Sequence, residues 1–366
     1  MICKSGIYPQ HKQPSYSERK TMKGLAFTKD NNQIATPWHI VEFLSDLLEV
    51  DNKTVLDPTA GAGAMLKRAG RPLGIEFDSK AFGMLRAEVP NGDLINASVF
   101  DCLEWIQERK PEVVMMNPPF NCPKTEMPEE YRKKYGTKGM DSTKGLYFVR
   151  WVADAVGRGR LVAIVPTGAI GGGNKALKET TSELLKRHSL EAVLKLNSDL
   201  FYPSVSVHAV ALVLRMGEPH SGKTWFADFS DAGLEKDRTK GRIDKNGKWA
   251  ETKKRWLDLF ERKPDDEEAG YGTVETTVEQ DWNMLWPRPE VNLMPTEDDF
   301  KKTVRDYLLW KIQQVMDSKI DMEEILTPET PKTPEERLEL LRQKQNALSL
   351  EILELEKEIE NAGKTE

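Results

Sequence analysis

The apolar run Val113-Val114-Met115-Met116 leads directly into Asn117-Pro118-Pro119-Phe120, and this junction leaves the backbone few choices. Proline donates no ladder hydrogen bond and is excluded from helix interiors, so the run reads as a buried strand that must end at Asn117. An amide side chain, a proline carbonyl and an aromatic ring are then presented together at a strand's C-terminal edge, which in open α/β sheets is where ligands bind. The Asn117 side-chain carbonyl and the Pro118 backbone carbonyl are two acceptors, matched to the two N–H bonds of an amino group. Phe120 can stack on the flat ring that carries such a group. The competing reading is a polar turn closed by prolines.

Bulk properties narrow the field. A chain of 366 residues has material for one large domain and one smaller one. Its formal net charge of -6 argues against a freestanding nucleic-acid binder, which is usually basic. No apolar run approaches membrane-spanning length and the first 23 residues lack a signal-peptide core, so a cytoplasmic protein is expected. The three cysteines, Cys3, Cys102 and Cys122, are widely separated and the five histidines show no ligand spacing; no metal site is expected.

Upstream, Ala35-Thr36-Pro37 opens a segment with apolar residues at 40, 43, 44, 47 and 48 on one helical face, with Thr36 as N-cap and Pro37 in the first turn. Free N–H groups at such a start can receive a carboxylate. Next, Thr54-Val55-Leu56 reads as a buried strand running into Asp57-Pro58-Thr59-Ala60-Gly61-Ala62-Gly63 and a helix from Met65. Glycines at a strand-to-helix turn let the backbone approach a ligand closely. Glu76 ends the following strand 19 residues after Asp57, an interval at which an acidic side chain commonly holds ribose hydroxyls. A dinucleotide is the rival ligand, but the loop has no third glycine and no G-K-[ST] phosphate cradle. A phosphate-free adenosine ligand fits better. A further strand, Ile95 to Phe100, ends at Asp101-Cys102.

This ordered set resembles the gamma class of S-adenosylmethionine-dependent N6-adenine DNA methyltransferases: Ala35-Thr36-Pro37, Asp57 to Gly63, Glu76, Asp101, then Asn117-Pro118-Pro119-Phe120. The likeness extends through Gly159 to Pro166, through Val193 to Tyr202, and to a final strand at Val207 to Leu214, covering roughly residues 24–216. It implies an α/β, Rossmann-like methyltransferase sheet, mostly parallel with one antiparallel strand and flanked by helices. It also implies that Thr36, Asp57, Thr59, Gly61, Gly63, Glu76, Asp101 and Cys102 hold S-adenosyl-L-methionine. Asn117, Pro118, Pro119 and Phe120 would form the catalytic group, with Phe120 and Phe201 stacking on a flipped adenine.

The domain plan expected is a basic arm at 1–23, a catalytic domain at 24–230, a basic and irregular connecting region at 231–295, and a helical region at 296–366. A lysine-rich loop follows Phe120, a second basic stretch with Trp249 runs from Lys236 to Arg255, and a helix is predicted over Glu297 to Ser318. Thr333-Pro334-Glu335-Glu336 has the form of a capping box, and positions 338, 341, 345, 348, 352, 355 and 359 form a short coiled-coil seam. Such a helix needs a partner, unless it packs back on its own domain. No region has the patterning of a target-recognition domain, which resembles the modification subunit of type I restriction-modification systems. That resemblance implies double-stranded DNA as substrate, a separate specificity subunit docked on the C-terminal helices and scope for homo-oligomers, with no membrane partner. The usual large helical N-terminal domain is not matched here, which points to a compact or variant system. Methylation of RNA or of protein glutamine, and a non-catalytic scaffold, stay open as alternatives.

Overall fold

The apolar runs become the middle of a nine-stranded sheet. The computed structural model describes residues 34–238, 240–287 and 297–318, with the single positions 333, 338 and 342. After α1 (Trp38–Leu48) come β1 (Thr54–Asp57), β2 (Arg71–Glu76), α2 (Ser79–Glu88), β3 (Asp93–Asn96), α3 (Leu103–Arg109) and β4 (Val113–Met116). They are followed by α4 (Glu129–Tyr135), α5 (Leu146–Val156), β5 (Gly159–Pro166), α6 (Lys175–Arg187), β6 (Ser189–Lys195), β7 (Ala209–Met216) and β8 (Lys223–Asp228). A hairpin of β9 (Glu235–Asp237) and β10 (Gly241–Ile243), then α7 (Trp249–Arg262) and β11 (Tyr271–Glu275), complete the strands and helices of a first unit spanning residues 1–290.

The strand order is β11-β8-β6-β7-β5-β4-β1-β2-β3. Strands β3, β2, β1, β4 and β5 are parallel, β7 lies antiparallel between β5 and β6, and β11 adds a second antiparallel strand at the edge. Every position of β1 and β4 is buried, as expected of central strands covered on both faces. One apolar layer gathers Tyr147, Val149 and Leu184 from α5 and α6; the other gathers Phe43 and Leu44 of α1 with Trp256 and Phe260 of α7. From β1 the chain builds outward through β2 to β3, then returns to place β4 on the other side of β1, with Val55 opposite Val113 and Leu56 opposite Val114. The order therefore reverses between β1 and β4, and a crevice opens at their C-terminal ends.

Several elements differ from their sequence expectation. The strand predicted over Ile95 to Phe100 ends at Asn96, whose amide nitrogen donates to the Glu76 and Phe77 carbonyls at 2.7 and 3.0 Å; Val99–Asp101 is a single 3-10 turn. The helix predicted from Met65 is likewise one 3-10 turn, Ala64–Leu66, because the chain must re-enter the sheet at Arg71. The last strand of the resemblance runs over Ala209–Met216, and the sheet continues beyond it. Within 231–295 the described residues are folded onto the sheet: they supply the hairpin, α7 and β11, and bury Trp249, Trp256 and Trp282. Three cations of the second basic stretch are committed internally, with Lys236 and Arg242 on Asp199 and Lys253 at 2.6 Å from both Glu42 and Asp46. The lysine-rich segment after Phe120 holds α4 and a buried Tyr131.

The second unit, residues 291–366, contains α8 (Glu297–Ser318), with the bounds predicted for it. Phe300, Val304, Tyr307, Leu308, Trp310 and Ile312 are exposed on it. The arm at 1–23 and, apart from Leu338, the coiled-coil seam lie outside the described residues. Among the described residues no helix is long and apolar enough to cross a membrane.

Candidate active site

Strands β4, β1 and β2 are neighbours, so the ends of these three strands bring Asn117, Asp57 and Glu76 to one edge of the sheet. The loop after β1 is held by hydrogen bonds from Ala60 N–H to the Ile75 carbonyl (2.9 Å) and from Gly63 N–H to the Ala60 carbonyl (2.7 Å). Gly61 sits at φ +52°, where a side chain is disfavoured, and a Cβ built there would meet nothing within 4 Å. Glu76 ties the loop down, one carboxylate oxygen accepting from Gly61 N–H at 2.7 Å and the other from Asp78 N–H at 2.8 Å. Inside this loop is a hollow whose lining includes Thr36, Asp57, Thr59, Gly61, Met84 and Asn117.

Asp57 is 3% exposed and accepts one hydrogen bond, from Thr59 N–H at 3.1 Å. Burial pushes its carboxyl up to about 8; the Thr59 bond opposes that shift and the charge of Glu76 adds to it. No cation pairs with Asp57 among the described residues. A buried carboxyl lining a hollow without a counter-charge suits a ligand that brings a positive group.

The raised carboxyl sets the direction of a pH effect. Between pH 6.5 and 8 the folded chain keeps a proton on Asp57 that the unfolded chain, ordinary at 3.8, has released. Stability contributed by this proton is present at low pH and falls as pH rises through that window. His39, pushed down to about 3 by burial and then by the Arg242 charge, acts in the opposite sense only below 6.5. In thermal or denaturant unfolding, the ligand-free protein is expected to lose stability relative to Asp57→Asn by on the order of 1 kcal/mol per pH unit across this window. Parallel pH profiles for the two proteins would contradict it.

Asn117 is half-buried, and its Nδ2 donates to the Ile34 carbonyl and to Thr36 Oγ1, both at 3.2 Å. A backbone carbonyl can only accept, so the amide nitrogen must face Ile34, and Oδ1 is left as an acceptor. No described residue donates to Asn117 Oδ1 or to the Pro118 carbonyl. Thr36 does not cap α1 as expected. Pro37, extended at φ -61° and ψ 142°, is the N-cap itself, so Thr36 lies one residue too early and its hydroxyl serves Asn117.

Pro118 is buried and Pro119 exposed. Gly145, at φ +91°, backs the turn: a Cβ there would fall 3.1 Å from Pro118 Cγ and 3.3 Å from the Pro119 carbonyl oxygen. Phe120 is partly exposed and meets Phe201 edge to face, ring centroids 6.0 Å apart. Phe201 itself is only 3% exposed, so Phe120 offers the free ring and Phe201 supports it from behind. Asp101 is exposed at the end of its 3-10 turn, and the Cys102 side chain is buried, its Sγ donating to the Ser98 carbonyl at 3.3 Å. Burial, then the Asp101 charge, pushes that thiol up. Neither residue lines the hollow, and Gly63 shapes the loop without lining it.

Sequence reasoning missed three contributors. Phe77, 63% exposed directly after Glu76, is an apolar ring at the same sheet edge; an aromatic next to a strand-end acid was the available signal. Met84 enters the hollow from α2 with no local signal. Asp141, buried, accepts from Tyr131 Oη (2.8 Å), Thr143 N–H (2.9 Å), Thr143 Oγ1 (2.8 Å) and Gly145 N–H (2.9 Å), so it anchors the segment behind Pro118. A larger groove of about 500 Å³ lies at the opposite, N-terminal ends of β1, β2 and β3. Two of its cations are neutralised by the pairs Lys67–Glu88 and Arg109–Asp93, both at 2.6 Å, and no chemistry is organised there.

Residues 84–298, more than half of the chain, match the N-6 DNA methylase family. The chain is 26% identical over 316 residues to a type II restriction enzyme and methyltransferase, RM.BcgI, of Heyndrickxia coagulans. That match takes in 78% of this chain and 47% of the relative, so the chain spans about half the length of the curated protein it resembles. Among solved structures it is similar to a modification subunit of a putative type I restriction enzyme from Vibrio vulnificus, with a TM-score of 0.54 and 15% identity over 72% of this chain and 61% of that one. It is also similar to a type I restriction-modification methyltransferase subunit from Streptococcus thermophilus, with a TM-score of 0.53 and 17% identity over 70% and 59% of the two chains. At these identities the structural likeness establishes the α/β, Rossmann-like fold.

Proposed function

Because the chain belongs to the N-6 DNA methylase family, we propose that it transfers a methyl group from S-adenosyl-L-methionine to the N6 amine of adenine in double-stranded DNA, as the modification component of a restriction-modification system. The observation that carries this reading is the orientation of Asn117: its amide nitrogen is engaged by Ile34 and Thr36, and its oxygen remains an acceptor one residue before the Pro118 carbonyl.

The hollow fits the cofactor by its donor set. Asp57 would meet a positively charged group, Glu76 would hold the loop in register and present a carboxylate at the ribose end, and the open space over Gly61 would admit the ligand. Thr36 and Thr59 would complete its walls, Gly63 would keep the loop in the turn that shapes it, and Asp101, Cys102 and Phe77, outside the hollow, would meet only a base that extends beyond it. When bound, the cofactor supplies an electrophilic methyl group on a sulfonium.

The chain's own residues would then prepare the amine. Adenine N6 is a weak nucleophile because its lone pair is delocalised into the ring. Asn117 Oδ1 and the Pro118 carbonyl would accept its two hydrogens, favour a pyramidal nitrogen and direct the freed lone pair to the hollow. Positioning and fixed dipoles supply the rate, and no covalent enzyme intermediate is needed. Inside a duplex the amine is out of reach, so the base must leave the stack at a cost of a few kcal/mol. Stacking on Phe120 would offset this by about 1 to 3 kcal/mol. For sequence recognition, the exposed apolar residues of α8 support a partner subunit bound through the C-terminal helices.

The test is transfer of radiolabelled methyl groups, offered in parallel to duplex DNA, RNA and protein, by the chain alone and co-expressed with the product of the neighbouring gene. Label entering DNA is expected; label entering only RNA or protein would redirect the reading to those amines and amides.

A further inference from the structure

The groups that hold Asn117 and Phe120 in place converge on one residue far from both in sequence. Arg242, on β10, has a side chain only 9% exposed. Its Nη1 donates to the Leu234 carbonyl at 3.2 Å, and its Nη2 donates to Asn197 Oδ1 at 2.8 Å and pairs with Asp199. Asn197 and Asp199 belong to the turn after β6, closed by hydrogen bonds from Leu200 N–H to the Asn197 carbonyl (3.0 Å) and from Tyr202 N–H to the Asp199 carbonyl (2.9 Å). Phe201 projects from this turn to the edge of Phe120. The neighbouring Gly241 presses on the same turn, since a Cβ there would lie 3.0 Å from the Tyr202 carbonyl oxygen.

The backbone of Arg242 reaches the other side. Its carbonyl accepts from Trp38 Nε1 at 3.3 Å. Trp38 is the first residue of α1, two positions after the Thr36 that engages Asn117. Trp249 packs edge-on to Trp38 at 6.0 Å and donates to Glu42 at 3.0 Å, so α7, which follows the hairpin, is fastened to α1 as well.

We propose that Arg242 is a positioning residue for methyl transfer: its guanidinium sets the turn that supports Phe120 while its carbonyl sets the helix start beside the Thr36 that orients Asn117. This rests on the reading of the site as an adenine amine site. Arg242 touches neither substrate nor cofactor. Its loss loosens the placement of the base, so it slows the bound complex without weakening the capture of either ligand.

The experiment compares wild type, R242M, R242K and D199N, each co-expressed with its partner subunit if wild type requires one, on unmethylated plasmid DNA with S-adenosylmethionine. For R242M, kcat per cofactor-binding site is expected to fall about tenfold or more, with KM for DNA and calorimetric Kd for S-adenosylmethionine within about twofold of wild type. R242K, which keeps the charge against Asp199 but not the planar fork, should recover part of the loss, and D199N should show a smaller kcat defect of the same kind. An active wild type with R242M at the same kcat overturns this proposal alone. So does a loss of cofactor affinity in step with kcat in all three variants, which would mark Arg242 as a general fold support. A wild type that transfers nothing to DNA overturns the reading of the site and this proposal with it.

Discussion

Replacing Asn117 with alanine is expected to abolish measurable methyl transfer while leaving cofactor binding nearly intact. The side chain has two separate jobs. Its Nδ2 is spent on Ile34 and Thr36, and its Oδ1 has no protein donor, so deletion removes an acceptor reserved for substrate. Loss of one pre-aimed polar group in a catalytic site commonly costs about 10²- to 10³-fold in rate, and here the partner carbonyl of Pro118 cannot act alone. Cofactor affinity should change only a few-fold, because the Asp57, Thr59, Gly61 and Glu76 contacts of the loop are made without the Asn117 side chain, Thr59 Oγ1 donating only to its backbone carbonyl at 3.4 Å. Asn117→Asp is expected to fall between the two: it keeps an acceptor but turns an oxygen toward the Ile34 carbonyl. Single-turnover methylation and calorimetry on the same preparations measure both quantities. Near-normal transfer by Asn117→Ala would refute the acceptor role.

Asp141→Ala is expected to have the largest effect on stability. The carboxylate is buried and takes hydrogen bonds from Tyr131, Thr143 and Gly145, with no cation in the set. Truncation leaves those donors buried and unsatisfied, and buried donors lost from a charged acceptor cost about 1.5 to 3 kcal/mol each. A destabilisation of roughly 3 kcal/mol or more is therefore expected in denaturant unfolding. Activity should fall with it, because Gly145 is the backing of Pro118 and Pro119. Asp141→Asn keeps one acceptor oxygen and should lose less. Unchanged stability in Asp141→Ala would mean that these donors find other partners.

What was legible in the sequence was legible for local reasons. Two prolines one residue after a four-residue apolar run can only end a strand, so β4 and the Asn117 turn could be read from seven residues, Val113 to Pro119. Asp57 and Glu76 were readable because each ends a short apolar strand, and α8 because its boundaries are signalled within the segment. Ala64–Leu66 misled because its composition suits a helix, whereas the length of the β1–β2 connection allows one turn. β11 was missed because its place depends on pairing with β8 more than forty residues upstream, a contact that no local pattern announces. The same holds for Thr36, read as a cap from its neighbours but engaged by Asn117 81 residues away, and for Arg242, read as part of a basic surface but turned inward onto Asp199.

The most direct measurement is nucleoside mass spectrometry of duplex DNA incubated with S-adenosylmethionine and the wild-type protein, with its partner subunit where one is needed. N6-methyl-2'-deoxyadenosine as the methylated product, absent when Asn117→Ala replaces wild type, is the predicted result. A methyl group on any other atom of the DNA, or the same N6-methyl product from the alanine variant, would contradict it.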